Sequence, residues 1–193
     1  MLPTLILGST SPFRRELLHR LGVEFETARP VVDESRLEGE PADQLVARLA
    51  EKKARAVVDA HPGALIIGSD QVAVIDDEIL GKPGNRDNAI AQLLRASGKV
   101  VTFHTGLCLL NSNSGVAQVV VEPFRVHFRP LEREQVERYV DKEEPFGCAG
   151  SFKSEGLGIS LFTRMDGDDP NALIGLPLIR LVQMLEKEGV KIP

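Results

Sequence analysis

Hydroxyl and cationic side chains interrupt the first amphipathic stretch of the chain, "LILGSTSPFRRELLHRLG", residues 5–22. At about 100° per residue, Arg14 falls near the centre of the leucine stripe of a helix predicted here, in its first turn. Burial and the positive end of the helix dipole both disfavour a structural cation at this position. An anion bound by Arg14, the free helix amides and the hydroxyls of Ser9 and Ser11 would offset both effects. The alternative is purely structural. A serine caps the helix, and the aliphatic part of the arginine side chain lies over the leucine stripe while its charged end reaches water.

A lysine lies at the centre of the apolar face of the next predicted helix, residues 41–60. The helical phase places Lys53 among leucine, valine and alanine side chains, while Arg48 and Arg55 face away. A lysine in such a stripe requires a buried carboxylate or a ligand anion, so an internal salt bridge is the alternative to anion binding. A third cation, Lys82, lies in "LGKPG", where glycine and proline restrict the loop.

Carboxylates stand at the ends of two apolar segments. The apolar part of the strand in "LIIGSDQ" runs into Asp70, and Asp33 and Glu34 end the segment "RPVVDE". Ligands of open α/β sheets bind at the carboxyl ends of strands, where an acid beside cations indicates metal ligation or general-base catalysis. A cap or turn residue is the alternative for each acid. A phosphate group with a divalent cation would pair with all of these charges, and the absence of the P-loop pattern excludes a P-loop NTPase.

The loop "CAGSFKSEGLG", residues 148–158, places small residues around Lys153 and Glu155. Its glycines permit close approach of the backbone to a ligand, whereas the alternative is an irregular connection with two solvated side chains. We predict that Cys148 is a small buried residue rather than a reactive thiol. The four histidines share no ligand spacing and receive no role.

Strands and helices alternate along the chain. We predict strands at 4–8, 24–28, 64–76, 99–111 and 116–128, and helices at 12–21, 41–60, 86–96, 132–141 and 177–188. A glycine-rich loop and one more strand are expected between the last two helices. The two long strands are joined by the turn-rich "SNSG". This order predicts an α/β fold on a mixed sheet with flanking helices.

Length and composition limit the kind of protein that this chain can form. A chain of 193 residues predicts one domain, 1–193, with a substantial core. The net charge of −5 disfavours a nucleic-acid surface, and no apolar run is long enough to span a membrane. Two cysteines, with no targeting leader before Leu5, predict a cytoplasmic protein without a disulfide framework.

The motifs together carry a resemblance to a known family. They are "STSPFRRELL", "PVVDE", "RLAEKKA", "GSDQV", "GKP", "TGL" and "AGSFKSEG". In this order they resemble the Maf-like nucleotide pyrophosphatases, from the first strand to the final helix. The resemblance implies a fold similar to inosine-triphosphate pyrophosphatases, an elongated α/β domain with a cleft between two lobes. It also implies a hydrolase of acid anhydrides, which converts a nucleoside triphosphate to the monophosphate and pyrophosphate with a divalent metal, Mg²⁺ or Mn²⁺.

The resemblance also implies roles for individual residues. Arg14, Lys53 and Lys82 would hold the triphosphate, beside the hydroxyls noted above. Glu34 and Asp70 would bind the metal, and Asp70 would accept the proton of the attacking water. A small-molecule nucleotide is the implied partner, with a homodimer also consistent with the family and with neither nucleic acid nor membrane expected.

Three positions indicate a branch of the family. The branch that hydrolyses dTTP and UTP has Arg, Thr and Gln where this chain has Phe13, Gln71 and Glu155. The combination found here resembles the 7-methyl-GTP pyrophosphatases. The chemistry agrees, because an aromatic face gains a cation–π attraction to the charged 7-methylguanine ring. A carboxylate can in turn accept hydrogen bonds from the guanine N1–H and exocyclic amine.

Other functions stay open at this point. A pyrophosphatase for dTTP, UTP or other modified nucleotides is the nearest alternative. A nucleotide-binding regulator of cell division would need the cations but no base at Asp70. A nucleic-acid-binding protein is disfavoured by the charge and by an aromatic content of one tyrosine and eight phenylalanines.

Overall fold

The computed structural model describes residues 3–192. The strands are β1 (Leu5–Gly8), β2 (Glu26–Ala28), β3 (Leu65–Ile75), β4 (Glu78–Leu80), β5 (Val100–Asn111), β6 (Ala117–Phe128) and β7 (Phe162–Asp166). The helices are α1 (Pro12–His19), α2 (Ala42–Arg55), α3 (Arg86–Ala96), α4 (Arg133–Glu143), α5 (Pro170–Ile174) and α6 (Leu178–Lys187). Two short 3₁₀ segments, Ala149–Ser151 and Leu157–Leu161, precede β7.

These strands form one mixed sheet, which confirms the predicted fold class. Within the described residues the order is β2-β1-β3-β5-β6-β7, and β4 pairs with β3. Strand β1 is parallel to both β2 and β3, with Leu7 opposite Ile67 on β3. Strand β4 is antiparallel to β3, and β7 is antiparallel to β6.

The chain divides into two compact units. The first contains the residues up to Asp70, then Thr105–Glu122, and the chain from Asp169 onward. The second contains Gln71–His104 and Pro123–Asp168. The single-domain organisation, the elongated outline and the cleft stay predictions.

The first unit has helices on both faces of its strands, because successive side chains of a strand point to opposite faces. On β1, Leu5 and Leu7 join a cluster with Leu17 and Leu18 of α1 and with Leu181 and Leu185 of α6. Ile6 points the other way and joins a second cluster with Ala50 and Ala54 of α2. Side chains at 5–7 are therefore buried on both faces, as a parallel strand covered by helices requires.

The second unit has an aromatic core. Phe103, Phe128, Phe152 and Phe162 pack edge to face, with ring centroids 4.8–5.7 Å apart. This geometry is favoured by the ring quadrupoles.

Among residues 3–192, each helix is too short or too polar to cross a membrane.

The predicted elements differ from the structure mainly at their ends. Helix α3 has the predicted bounds, whereas α2 ends at Arg55, five residues before its predicted end, and turns follow. The sequence analysis missed α5 and β4. Strand β4 is only three residues long and joins β3 through Asp76 and Asp77, both at positive φ (49° and 63°). This is the type I′ geometry of a tight hairpin.

Candidate active site

Two glycines let helix α2 lie directly against the sheet. A Cβ atom built on Gly68 of β3 would lie 2.0 Å from the carbonyl oxygen of Ala50. A Cβ atom on Gly106 of β5 would lie 2.2 Å from the carbonyl oxygen of Val46. Only hydrogen fits at either position, so the helix backbone touches the strands. This close packing places Lys53, one turn further along α2, beside Asp70, which lies within β3 and not at the end of a strand as predicted.

Lys53 and Asp70 form a buried ion pair. The Lys53 Nζ lies 2.6 Å from Asp70 Oδ1 and 3.0 Å from Glu34 Oε1. As whole residues, Lys53 is 8% exposed and Asp70 is 7% exposed, whereas Glu34 is mostly exposed. The prediction of a buried lysine on the apolar face of α2 is therefore confirmed. Its partners are carboxylates of the chain itself, which is the internal salt bridge kept open as the alternative.

Arg14 is half-buried and held by a backbone carbonyl. Its Nε donates to the carbonyl oxygen of Gly175 at 2.8 Å, and the buried hydroxyl of Ser69 donates to the same oxygen at 3.0 Å. Burial lowers the pKa of the Arg14 guanidinium, while the charges of Asp70 and Glu34 raise it. Arg14 is thus within electrostatic reach of both carboxylates that bind Lys53.

The segment that carries Gly175 is organised by a carboxylate that the sequence analysis missed. Asp169 is fully buried and accepts hydrogen bonds from the backbone N–H groups of Asn171 and Ile179, each at 2.8 Å. The pattern Asp-Pro at a helix start, Asp169–Pro170, is a recognisable N-cap signal. The sequence could not show that Asp169 acts on Arg14, since this link depends on how the chain between Asp169 and Ile179 presents the Gly175 carbonyl.

The predicted hydroxyl turn has a local structural role. Ser11 Oγ accepts from Arg14 N at 3.4 Å as the N-cap of α1, and Ser9 Oγ accepts from Ser11 N at 3.1 Å. This is the serine N-cap that the sequence left open as the alternative. The turn also borders a cavity of about 130 Å³. The residues that line the cavity are Ser9, Thr10, Ser11, Pro12, Arg15 and Thr27.

The chain is similar to known proteins over nearly its full length. Residues 4–188 match the family model described as "Maf-like protein". The chain belongs to the Maf-like family. It is 60% identical over 191 residues to a protein of Alcanivorax borkumensis named 7-methyl-GTP pyrophosphatase, covering 99% of this chain and 97% of that protein. A Pseudomonas aeruginosa protein of the same name is 58% identical over 192 residues, with 100% of both chains covered. One from Nitrosococcus oceani, also of that name, is 57% identical over 187 residues, covering 97% and 94%.

The residues predicted from the Maf-like resemblance fall into both units. Phe13 is half-buried on α1 in the first unit, together with Arg14, Lys53 and the two carboxylates. Gln71 is half-buried and follows Asp70 directly, at the start of the second unit. Lys82 and Glu155 are exposed in loops of the second unit. The approach of these last two side chains to a bound nucleotide stays a prediction.

The carboxylates of this Maf-like protein suit a cation bound chiefly through its substrate. Among residues 3–192, no group of three His, Cys, Asp or Glu side chains is arranged to hold a metal ion. Glu34 and Asp70 instead share one ammonium group. Mg²⁺ is typically bound by one or two carboxylates together with substrate phosphates, and this donor set fits that pattern.

Proposed function

We propose that this Maf-like protein is a nucleoside triphosphate pyrophosphatase that hydrolyses 7-methyl-GTP to 7-methyl-GMP and pyrophosphate. The observation that carries the proposal is the buried pair of Lys53 and Asp70, with Glu34 on the same ammonium group. In support of the proposal, the candidate base Asp70 lies beside Lys53 and within electrostatic reach of Arg14, and two such cations suit a polyphosphate. The names of relatives at 57–60% identity support the substrate.

Asp70 acts as the general base of the proposed reaction. Its carboxylate orients and deprotonates the water that attacks the α-phosphorus, so that the monophosphate and pyrophosphate are the products. Arg14, Lys53 and Lys82 stabilise the negative charge that develops on the phosphoryl oxygens and the leaving group. Glu34 and Asp70 would hold a divalent cation, Mg²⁺ or Mn²⁺, which when bound neutralises phosphate charge.

The ion pair of Lys53 and Asp70 adds a step to this scheme. The ammonium group of Lys53 is bonded to an oxygen of the carboxylate that must accept a proton. Phosphate oxygens compete for the same ammonium group. We infer that substrate binding moves Lys53 from Asp70 toward the triphosphate and thereby frees the base.

Phe13, Gln71 and Glu155 select the base in this proposal. The half-buried ring of Phe13 offers a face for the positively charged 7-methylguanine. The carboxylate of Glu155 is exposed and would accept hydrogen bonds from the donor edge of guanine.

We also propose a cytoplasmic location, since Cys108 and Cys148 are both free thiols, which a reducing compartment maintains. The homodimer stays a prediction.

Pyrophosphate release from 7-methyl-GTP, measured with Mg²⁺ and with EDTA, tests the proposal. We expect release that depends on the metal, with ¹⁸O from labelled water found in the monophosphate. Label in pyrophosphate, or release of inorganic phosphate, would contradict attack at the α-phosphorus. Tight binding without turnover would favour the regulator, and faster hydrolysis of dTTP or UTP would favour the other branch.

A further inference from the structure

The loop that carries Glu34 is fastened to α2 on both sides of this residue. Residues 29–37 have no helix or strand. The carbonyl oxygen of Asp33 nevertheless accepts from Lys52 Nζ at 2.8 Å, and the carbonyl oxygen of Ser35 accepts from Arg48 Nη2 at 3.0 Å. The two peptide carbonyls that flank Glu34 are therefore bound by side chains one helical turn apart on α2. The same helix provides Lys53, the partner of the Glu34 carboxylate.

Asp33 has a different function from its neighbour. Its Oδ1 accepts from the backbone N–H of Ser35 at 2.9 Å and from the Ser35 hydroxyl at 2.6 Å. These hydrogen bonds from Ser35 lower the pKa of Asp33. Asp33 is thus a turn residue, and Glu34 is the acid of this loop that reaches Lys53.

A buried carboxylate orients Arg48. Glu40 accepts from Arg48 Nε at 2.6 Å and from Arg48 Nη2 at 2.7 Å, and its Oε2 also accepts from the backbone N–H of Leu37. The Glu40 side chain is 6% exposed, against 28% for Arg48. The guanidinium is planar and rigid, so fixing Nε and Nη2 on Glu40 also fixes the direction of the second N–H of Nη2. That N–H is the donor to Ser35.

We propose that Arg48 is a positioning residue, which with Glu40 holds Glu34 in place for the divalent cation. This inference rests on the proposed function, in which Glu34 and Asp70 bind the cation. An exposed carboxylate on an irregular loop would otherwise lose conformational entropy each time the metal–nucleotide complex bound. Because the loop is attached to α2, this conformational entropy is lost once, during folding, and not at each binding event.

The alternative is that the pair of Glu40 and Arg48 only stabilises the loop. A double-mutant cycle separates the two cases, because an effect that passes through Glu34 disappears when the Glu34 carboxylate is removed. The variants are Arg48→Met, Glu34→Gln and their combination. Arg55→Met is the matched control, since Arg55 pairs with Glu51 on the exposed side of the same helix.

The measurement is Mn²⁺ binding by electron paramagnetic resonance, in the presence of the α,β-methylene analogue of GTP. Outer residues that orient metal ligands typically contribute about 10-fold or more to metal affinity, so we expect about a 10-fold loss for Arg48→Met. Glu34→Gln should lose at least as much. The added effect of Arg48→Met in the Glu34→Gln background should fall to less than about 2-fold, and Arg55→Met should retain wild-type binding.

Arg48→Lys provides a second variant that keeps the charge. A single ammonium group cannot reproduce the fork that joins both Glu40 oxygens and Ser35, so Mn²⁺ binding should stay weak in this folded variant. Wild-type Mn²⁺ affinity in Arg48→Met or in Arg48→Lys would overturn the inference. An equal loss from Arg48→Met with and without Glu34 would also overturn it. Pyrophosphate release by the wild type is assayed separately, so its absence would contradict the proposed function while the cycle still tests Arg48.

Discussion

The Nζ of Lys53 lies 2.6 Å from Oδ1 of Asp70, and each side chain is only 10% exposed. The cation comes from α2 and the carboxylate from β3, so the pair also joins helix to sheet. A buried pair of this kind is costly to break from one side, because the remaining charge loses its partner. The proposed general base therefore has a structural function as well, and the two can be measured separately.

Replacing Lys53 by methionine tests the structural function. Lys53→Met should lower the free energy of unfolding by about 3–5 kcal/mol, because it leaves a buried carboxylate without its ammonium partner. Lys53→Met with Asp70→Asn should recover part of this loss, since neither charge then remains. Urea unfolding of the single and double variants provides the measurement. A single variant as stable as the wild type would show that the pair contributes little.

Replacing Gly68 by alanine tests the close packing of α2. The added methyl group would lie 2.0 Å from the carbonyl oxygen of Ala50, so the helix must move away from β3. Overpacking of this kind costs about 1–3 kcal/mol, and we expect turnover to fall as Lys53 is displaced. The control is Gly147→Ala, because nothing lies within 4 Å of a Cβ atom at Gly147. Equal stability of the two variants in thermal unfolding would argue against the packing account.

Glu40 should make stability depend on acid pH. Hydrogen bonds from Arg48 lower the pKa of Glu40 from 4.5 to about 2, with a further contribution from the charge of Arg36. Because the folded pKa is the lower one, the contribution of Glu40 is complete above about pH 4.5 and disappears as the pH falls toward 2. The difference in melting temperature between the wild type and Glu40→Gln should therefore be larger at pH 6 than at pH 3.

A second acid loses its charge in the same pH range, and its effect on stability cancels when the two proteins are compared. Hydrogen bonds from Arg164 lower the pKa of Asp166 to about 2, so Asp166 loses its charge in the same range. It is present in both proteins and cancels in their difference. Glu51→Gln, which removes an exposed ion pair from α2, should change stability little at pH 6. A constant gap between Glu40→Gln and the wild type from pH 6 to pH 3 would contradict the assignment.

Two substitutions test base recognition. Glu155→Gln replaces one acceptor by a donor, and should cost a guanine substrate about 1–3 kcal/mol while a pyrimidine loses little or gains. Phe13→Ala should weaken 7-methyl-GTP more than GTP, because only the methylated ring is charged. The measurement is kcat/KM for 7-methyl-GTP, GTP, UTP and dTTP with each variant. Equal slowing of every substrate would remove both residues from base selection and leave the pyrophosphatase reaction in place.

Much of the fold could be predicted, because its signals are local. The apolar run of β3 and the helical phases of α1 and α2 depend on side chains a few residues apart. Strand β4 could not be found this way, since three residues are too few to show a period. The early end of α2 at Arg55 has no clear signal in the apolar pattern either, because Val57 stays buried beyond the helix.

The site could be predicted only in part. The helical phase showed that Lys53 is buried, but its contact with Asp70 depends on the close packing of α2 against Gly68 of β3, which the pattern of α2 alone does not reveal. Similarly, the carbonyl oxygen of Gly175 binds Arg14 from 161 residues away. The role of Ser11 as a helix cap, by contrast, rests on a local hydrogen bond from Arg14 N.

Turnover of 7-methyl-GTP by Asp70→Asn tests the central claim most directly. Asparagine keeps the size of the side chain and leaves Lys53 its contact with Glu34, but it removes the base. Pyrophosphate release at saturating Mg²⁺ and nucleotide should fall by about 100-fold or more, as is typical for loss of a general base. Circular dichroism and a thermal melt establish that the variant is folded at the assay temperature. Near-wild-type release from a folded Asp70→Asn protein would contradict the account, because the water would then be activated elsewhere.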